Sequence, residues 1–116
     1  MPEKIIIFHN PRCSKSRESL ELLSHSNCEI EIVEYLKDVP SAKELKAIIK
    51  ILGVKPQDLI RKSEEEYKLH FQNQNLSDAD WIKAMVKYPK LIERPIVIRG
   101  NKALIGRPPS LVLELI

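Results

Sequence analysis

Cys13 is the residue whose setting reads most directly as chemistry. It stands in Phe8-His9-Asn10-Pro11-Arg12-Cys13-Ser14-Lys15-Ser16-Arg17, where a short apolar run ends and a helical pattern begins. A strand that delivers a thiol to the first turn of a helix favours the thiolate, because the exposed N–H groups there carry about half a positive charge. Arg12, Lys15 and Arg17 add cations close by in sequence. The plain alternative is a small buried hydrophobe, which is what most free cysteines are. Position, polar flanks and charge favour a nucleophile.

Cys13-Ser14-Lys15-Ser16 is C-x-x-S, so this site lacks the second thiol of a dithiol motif. Ser16 and the backbone amides of the first turn can instead hydrogen-bond to the thiolate. Cys28 is the only other thiol. A helix of about 12 residues between the two separates them by roughly 18 Å, well beyond the ~7 Å limit for bridged Cα atoms. Cys28 therefore reads as a strand-edge thiol, and an oxidised Cys13 must be resolved from outside. His9 either lowers the thiol pKa or holds the loop through backbone hydrogen bonds; the sequence leaves both open. His25 and His70 read as exposed helix-end residues, with no further ligand cluster to make a metal site.

Arg61, Arg94 and Arg107 each fall in a turn, and two of them precede proline. A single turn arginine is ordinarily just solvated. Three of them, brought to one end of a sheet, would make an oxyanion clamp, since guanidinium groups bind such anions through paired hydrogen bonds. Cysteine phosphatases, and the arsenate reductases built like them, hold the anion in a C-x5-R loop. Here the residue six after Cys13 is Ser19, and the nearest arginine, Arg17, comes four after. Any arginines that serve this site must come from elsewhere in the chain.

The elements that would position these residues follow in order. Residues 4–8 read as a buried strand, and Asn10-Pro11 ends it. A helix is predicted over 14–25, with Leu20 and Leu23 on its apolar stripe and Ser16 elsewhere on the wheel. Residues 28–35 alternate apolar and charged positions as a strand does. Ser41 with Glu44 is a capping-box signature, and Leu45, Ile48, Ile49 and Leu52 keep helical spacing up to Gly53. A short helical piece follows at 57–60. Ser63 with Glu66 and Ser77 with Asp80 would open two more helices, to about 71 and 88. Residues 94–98 and 102–105 read as strands around a tight Gly100-Asn101 turn, and 110–116 as a terminal helix after Pro108-Pro109. The order is β-α-β, several helices, then β-β-α. That is the plan of an α/β, thioredoxin-like fold: a four-stranded mixed sheet in one domain, residues 1–116, with a helical insertion at about 41–88. In it the loop holding Cys13 lies beside the turn at Arg94-Pro95, and that X-Pro bond is predicted to be cis.

At 116 residues, 43% hydrophobic and 30% charged, the chain is long enough for a core without staples. A net charge of +3, spread along the chain, is too weak to argue for nucleic acid. Four consecutive apolar residues near the start fit no signal peptide, and no run approaches the roughly 20 that span a membrane. The expected compartment is the cytoplasm, where thiols stay reduced.

Four segments, His9–Arg17, Leu59-Ile60-Arg61-Lys62, Glu93-Arg94-Pro95-Ile96-Val97 and Gly106-Arg107-Pro108, together resemble the glutaredoxin-dependent arsenate reductases of the ArsC type. Ser14-Lys15 stands where the best-known members have Gly-Thr, and the chain stops at Ile116, which points to a shorter branch. The resemblance implies arsenate reduction in arsenic detoxification, with Cys13 as the catalytic cysteine. It implies that Arg61, Arg94 and Arg107 bind the oxyanion, with His9 beside the cysteine and Ser16 and Pro95 in support. Cys13 would attack arsenate, glutathione would attack the adduct, and glutaredoxin would reduce the mixed species as arsenite leaves. No bound cofactor or metal is implied; glutathione is a co-substrate, and a monomer is expected. Two alternatives stand beside this: a glutathione-linked thiol oxidoreductase for another substrate, and an Spx-type redox regulator binding RNA polymerase. Ser16 speaks against the C-x-x-C switch of the regulator.

Overall fold

The computed structural model describes residues 4–116. It has two compact units: the segment ending at Asp38 together with Arg94–Ile116, and Val39–Glu93.

The first unit holds β1 (Ile5–Phe8), α1 (Ser14–Ser24), β2 (Ile30–Val33), β3 (Ile96–Arg99), β4 (Lys102–Ile105) and a 3₁₀ segment, Pro109–Leu115. The sheet order is β2-β1-β3-β4, with β1–β2 parallel and the other two pairs antiparallel. This is the mixed thioredoxin-like sheet expected. Central β1 is apolar throughout, as a strand paired on both edges and covered on its faces must be. β2 is shorter than the predicted 28–35. Its partner β1 supplies four residues, Ile5 to Phe8, before the Asn10-Pro11 turn, so only Ile30 to Val33 find pairs. Ile5, Ile7, Leu23, Val97, Val112 and Leu115 make the core, and Cys28 packs at its edge.

Two expectations change here. The terminal segment is 3₁₀ rather than α. Its buried residues, Pro109, Val112 and Leu115, recur every third position, which matches three residues per turn. On α1 the buried residues are Ser16, Ser19 and Leu23, so serines occupy the inward face that was assigned to leucines alone.

The second unit contains α2 (Ala42–Leu52), α3 (Glu65–His70) and α4 (Asp78–Lys87), with 3₁₀ turns at Pro56–Leu59 and Pro89–Leu91. Ser41 caps α2 by accepting from the Glu44 N–H, and Gly53 ends it in the left-handed conformation (φ 72°). Ser77 caps α4 in the same way. The Ser63–Glu66 box does not form: α3 begins one residue later than expected, behind Glu64, with no side-chain cap. Aromatic contacts support that helix instead, with Tyr67 and Phe71 6.5 and 5.9 Å from the Trp81 ring. Leu59–Arg61 and Leu91–Glu93 run antiparallel, joined by the Arg61 N–H to the Leu91 carbonyl and the Glu93 N–H to the Leu59 carbonyl. Among the described residues no helix is long and apolar enough to cross a membrane.

Gly106 shows how tightly the first unit is closed. A Cβ there would lie 2.6 Å from Ser19 Oγ, 2.9 Å from Pro95 Cγ and 3.2 Å from Val112 Cγ1. Gly106→Ala is expected to lower unfolding stability by about 1–3 kcal/mol, the usual cost of overpacking, read as an earlier urea midpoint. Ser19→Ala in the same chain removes the nearest clashing atom and should recover part of that loss.

Candidate active site

The segment carrying Cys13 is shaped by Asn10. Its backbone carbonyl accepts the Cys13 N–H (3.0 Å) and its side-chain Oδ1 accepts the Arg12 N–H (3.0 Å). With Pro11 second in the turn, this is the turn chemistry those residues favour. The turn leaves Cys13 as the N-cap of α1, with extended backbone (φ −96°, ψ 123°), half-buried.

Beneath it lies a small polar network. Buried Ser16 Oγ accepts the Asn10 N–H (3.0 Å) and sits 2.6 Å from Nδ1 of buried His9. The hydroxyl proton is satisfied if it is donated to Nδ1, which places the imidazole proton on Nε2. His9 is held neutral: burial pushes its pKa down, the charge of Glu34 opposes this, and Arg17 adds to it. Of the two readings open for His9, its bond to Ser16 supports loop-holding, and a neutral ring offers no charge to the thiol. Ser16 differs from its expectation too. Its hydroxyl faces His9 and Asn10, and its backbone N–H is the group that serves the sulfur.

The Cys13 pKa lies below the ordinary thiol value. Burial is the strongest single influence and works the other way. It is outweighed by the Ser16 N–H, then by a hydrogen bond and the charge from Arg94, then by the Lys15 N–H. The neutral thiol closes no formal capping bond, but these donors are near enough to favour the anion. Arg107 Nη2 also donates to Sγ at 3.5 Å, an ordinary length for a sulfur acceptor, while Arg94 is the arginine that lowers the thiol pKa. Arg107 Nε donates to the Arg94 carbonyl (2.7 Å), tying the two arginine turns together. Both are followed by cis prolines, Pro95 and Pro108; the first was expected and the second was not.

The structure thus brings Cys13, Arg94 and Arg107 together, with Ser16, His9 and Pro95 around them. Arg61 belongs to the second unit, where its Nη1 meets Glu93 (2.7 Å) and its Nε meets Glu64 (3.4 Å). Asn10 was missed as a site-shaping residue, although the Asn-Pro turn signal marked it. Cys28 is a free thiol.

The ArsC family model matches residues 8–115. The chain belongs to the ArsC family. An arsenate reductase of Haemophilus influenzae is 47% identical over 114 residues, covering 97% of this chain and 98% of the relative. A 48% identical Escherichia coli K12 relative, covering 100% of this chain and 99% of itself, is described only as the uncharacterized protein YfgD. Among solved structures, an arsenate reductase from Vibrio cholerae superposes with a TM-score of 0.93 at 42% identity, covering both chains fully. This ArsC chain therefore has close relatives both with and without an assigned reaction.

In a Cys28→Ser background, thiolate absorbance near 240 nm should titrate below the ordinary thiol range, and Arg94→Ala should move the midpoint upward. A depressed folded-state thiol pKa adds stability that is full above the unfolded-state value and is lost as pH falls through the folded one. His9 contributes with the same sign in a lower window. Its folded pKa is depressed, so stability falls as pH drops from the unfolded histidine value toward the folded one. His9→Gln should flatten that acid limb, measured as urea midpoint against pH.

Proposed function

We propose that this protein is an arsenate reductase that uses Cys13 as its nucleophile. The observation that carries this is the half-buried sulfur whose pKa is lowered by Arg94, with Arg107 Nη2 at 3.5 Å. The names of the relatives support the substrate. The Cys13 thiolate attacks arsenic and displaces one oxygen as water, forming a sulfur–arsenic bond. Arg94 and Arg107 offset charge on the remaining oxygens as this happens. The glutathione thiolate then attacks Cys13 Sγ. A disulfide forms, the sulfur–arsenic electron pair leaves with arsenic, and As(V) becomes As(III). Glutaredoxin takes up the glutathionyl group and returns Cys13 to the thiol. No bound cofactor enters this sequence, and every group named on the first unit belongs to one copy of the chain, so a monomer suffices. A cytoplasmic setting, with its glutathione, fits the reading.

Arg61 enters as the third arginine of the clamp through the Leu59–Lys62 motif. Its guanidinium is already met by Glu64 and Glu93, so an arriving oxyanion would share it with two carboxylates.

The test is arsenate-dependent NADPH oxidation coupled through glutathione, glutaredoxin and glutathione reductase. Cys13→Ser should fall to background. Arg94→Ala should lose about 10²-fold, the loss typical of one oxyanion donor. Arg61→Ala should lose activity while leaving the Cys13 titration unmoved. Equal background rates for wild type, Cys13→Ser and Arg94→Ala would remove arsenate from the proposal.

A further inference from the structure

A groove of about 640 Å³ lies on the first unit between α1 and the turn that follows Arg107, within the ~300–1,000 Å³ typical of small-ligand sites. One wall is the α1 face bearing Arg17, Glu18, Glu21 and Leu22, and the other is Pro108 and Pro109. Both walls start at the reactive centre. The Arg17 N–H bonds to the Cys13 carbonyl (3.0 Å), and Pro108 follows Arg107, whose guanidinium reaches Sγ. The charge of Arg17 is felt at His9.

The charges on this face run against helix preference. Helix N-termini favour acids, yet the first turn of α1 has none and carries Lys15, with Arg17 just after it. Acids appear only further along, at Glu18 and Glu21. Among the described residues Arg17 has no ion-pair partner, and Glu21 has only exposed His25 at 3.7 Å. The groove therefore offers a cation toward the Cys13 end of α1 and anions further along the helix, beside apolar Leu22, Pro108 and Pro109.

We infer that this groove binds the γ-glutamyl head of glutathione, whose α-carboxylate pairs with Arg17 and whose α-ammonium pairs with Glu18 and Glu21, while its thiol faces Cys13. The inference rests on glutathione being the thiol that acts on Cys13. The reach fits. Arg17 and Glu21 stand about 6 and 12 Å along the helix axis from Cys13, and their side chains extend back toward the N-terminus. An extended γ-glutamyl-cysteinyl unit spans roughly 7–10 Å.

The test needs no arsenate. In Cys28→Ser protein, Cys13 is converted to its mixed disulfide with thionitrobenzoate. An added thiolate attacks Cys13 Sγ, a new S–S bond forms, and the coloured thionitrobenzoate anion leaves. Release rates, expressed per thiolate, are compared for glutathione, γ-glutamylcysteine and N-acetylcysteinylglycine. Glutathione and γ-glutamylcysteine should react alike, and N-acetylcysteinylglycine about five- to tenfold more slowly, the scale of part-exposed charged contacts. Glu21→Gln should bring glutathione down toward the slow rate and leave N-acetylcysteinylglycine unchanged, and Arg17→Ala should slow glutathione more than N-acetylcysteinylglycine. Equal rates for all three thiols overturn the inference, as does γ-glutamylcysteine proving the slow one, which would mean that the glycine end is read. If discrimination holds without arsenate turnover, the substrate proposal falls and the groove stands. If glutathione-dependent arsenate turnover holds without discrimination, the groove alone falls.

Discussion

A negative charge on a half-buried sulfur is the condition that the first unit is arranged to meet. Burial alone would keep Cys13 protonated, and it is the largest influence on that thiol. The opposing groups come from separate parts of the chain. The Ser16 and Lys15 N–H groups come from the opening of α1, and the Arg94 guanidinium from the turn before β3. The arginine cannot act without the fold, because Arg94 lies 81 residues downstream of Cys13 (94 − 13). The four-stranded sheet matters to the chemistry mainly because β1 and β3 are neighbours. Phe8 pairs with Ile96, so the segments leaving those two residues start side by side.

The serines of α1 serve that same condition. A helix packed on a sheet ordinarily turns a leucine stripe inward, and α1 buries only one leucine, Leu23. Ser16 sits where its hydroxyl can tie His9 to the Asn10 backbone, which fixes the turn that presents Cys13. Ser19 sits where a larger side chain would push away Gly106, and with it Arg107. Its hydroxyl has no hydrogen-bond partner among the described residues, a cost of about 1–3 kcal/mol for a buried polar atom. The close approach of the Gly106 turn makes a small side chain necessary at this position. It does not explain why serine stands there rather than alanine.

These features divide by how local they are. The caps at Ser41 and Ser77 and the stop at Gly53 were readable because each depends on residues a few positions apart. The order of strands and helices, and hence the sheet, followed from periodicity. Burial of Ser16 and Ser19 was not readable, because hydrophobic periodicity assigns serine to the outside and their neighbours are set by tertiary packing. The neutral state of His9 was hidden for the same reason, since it depends on burial that only the folded unit supplies. The Ser63–Glu66 signature misled because α3 is held by aromatic contacts to Trp81 rather than by its cap. For the site, Cys13, Arg94 and the first-turn amides as donors to the sulfur could be named from the sequence, whereas the turning of the Ser16 hydroxyl toward His9 and Asn10 could not.

The three arginines are alike in sequence and unlike in electrostatics. Arg107 donates Nε to the Arg94 carbonyl, a neutral acceptor, and Nη2 to the Cys13 sulfur. Arg61 faces two carboxylates, Glu64 and Glu93, with side chains mostly shielded from water. Together those three groups carry a formal charge of −1, so they cannot draw a dianion from a distance. In the proposed clamp the attraction must then come from Arg94 and Arg107, helped by the exposed cations Arg12, Lys15 and Arg17 around the thiol. Within its own unit Arg61 has Nη1 on Glu93 and Nε near Glu64, so much of its fork of N–H donors is already engaged.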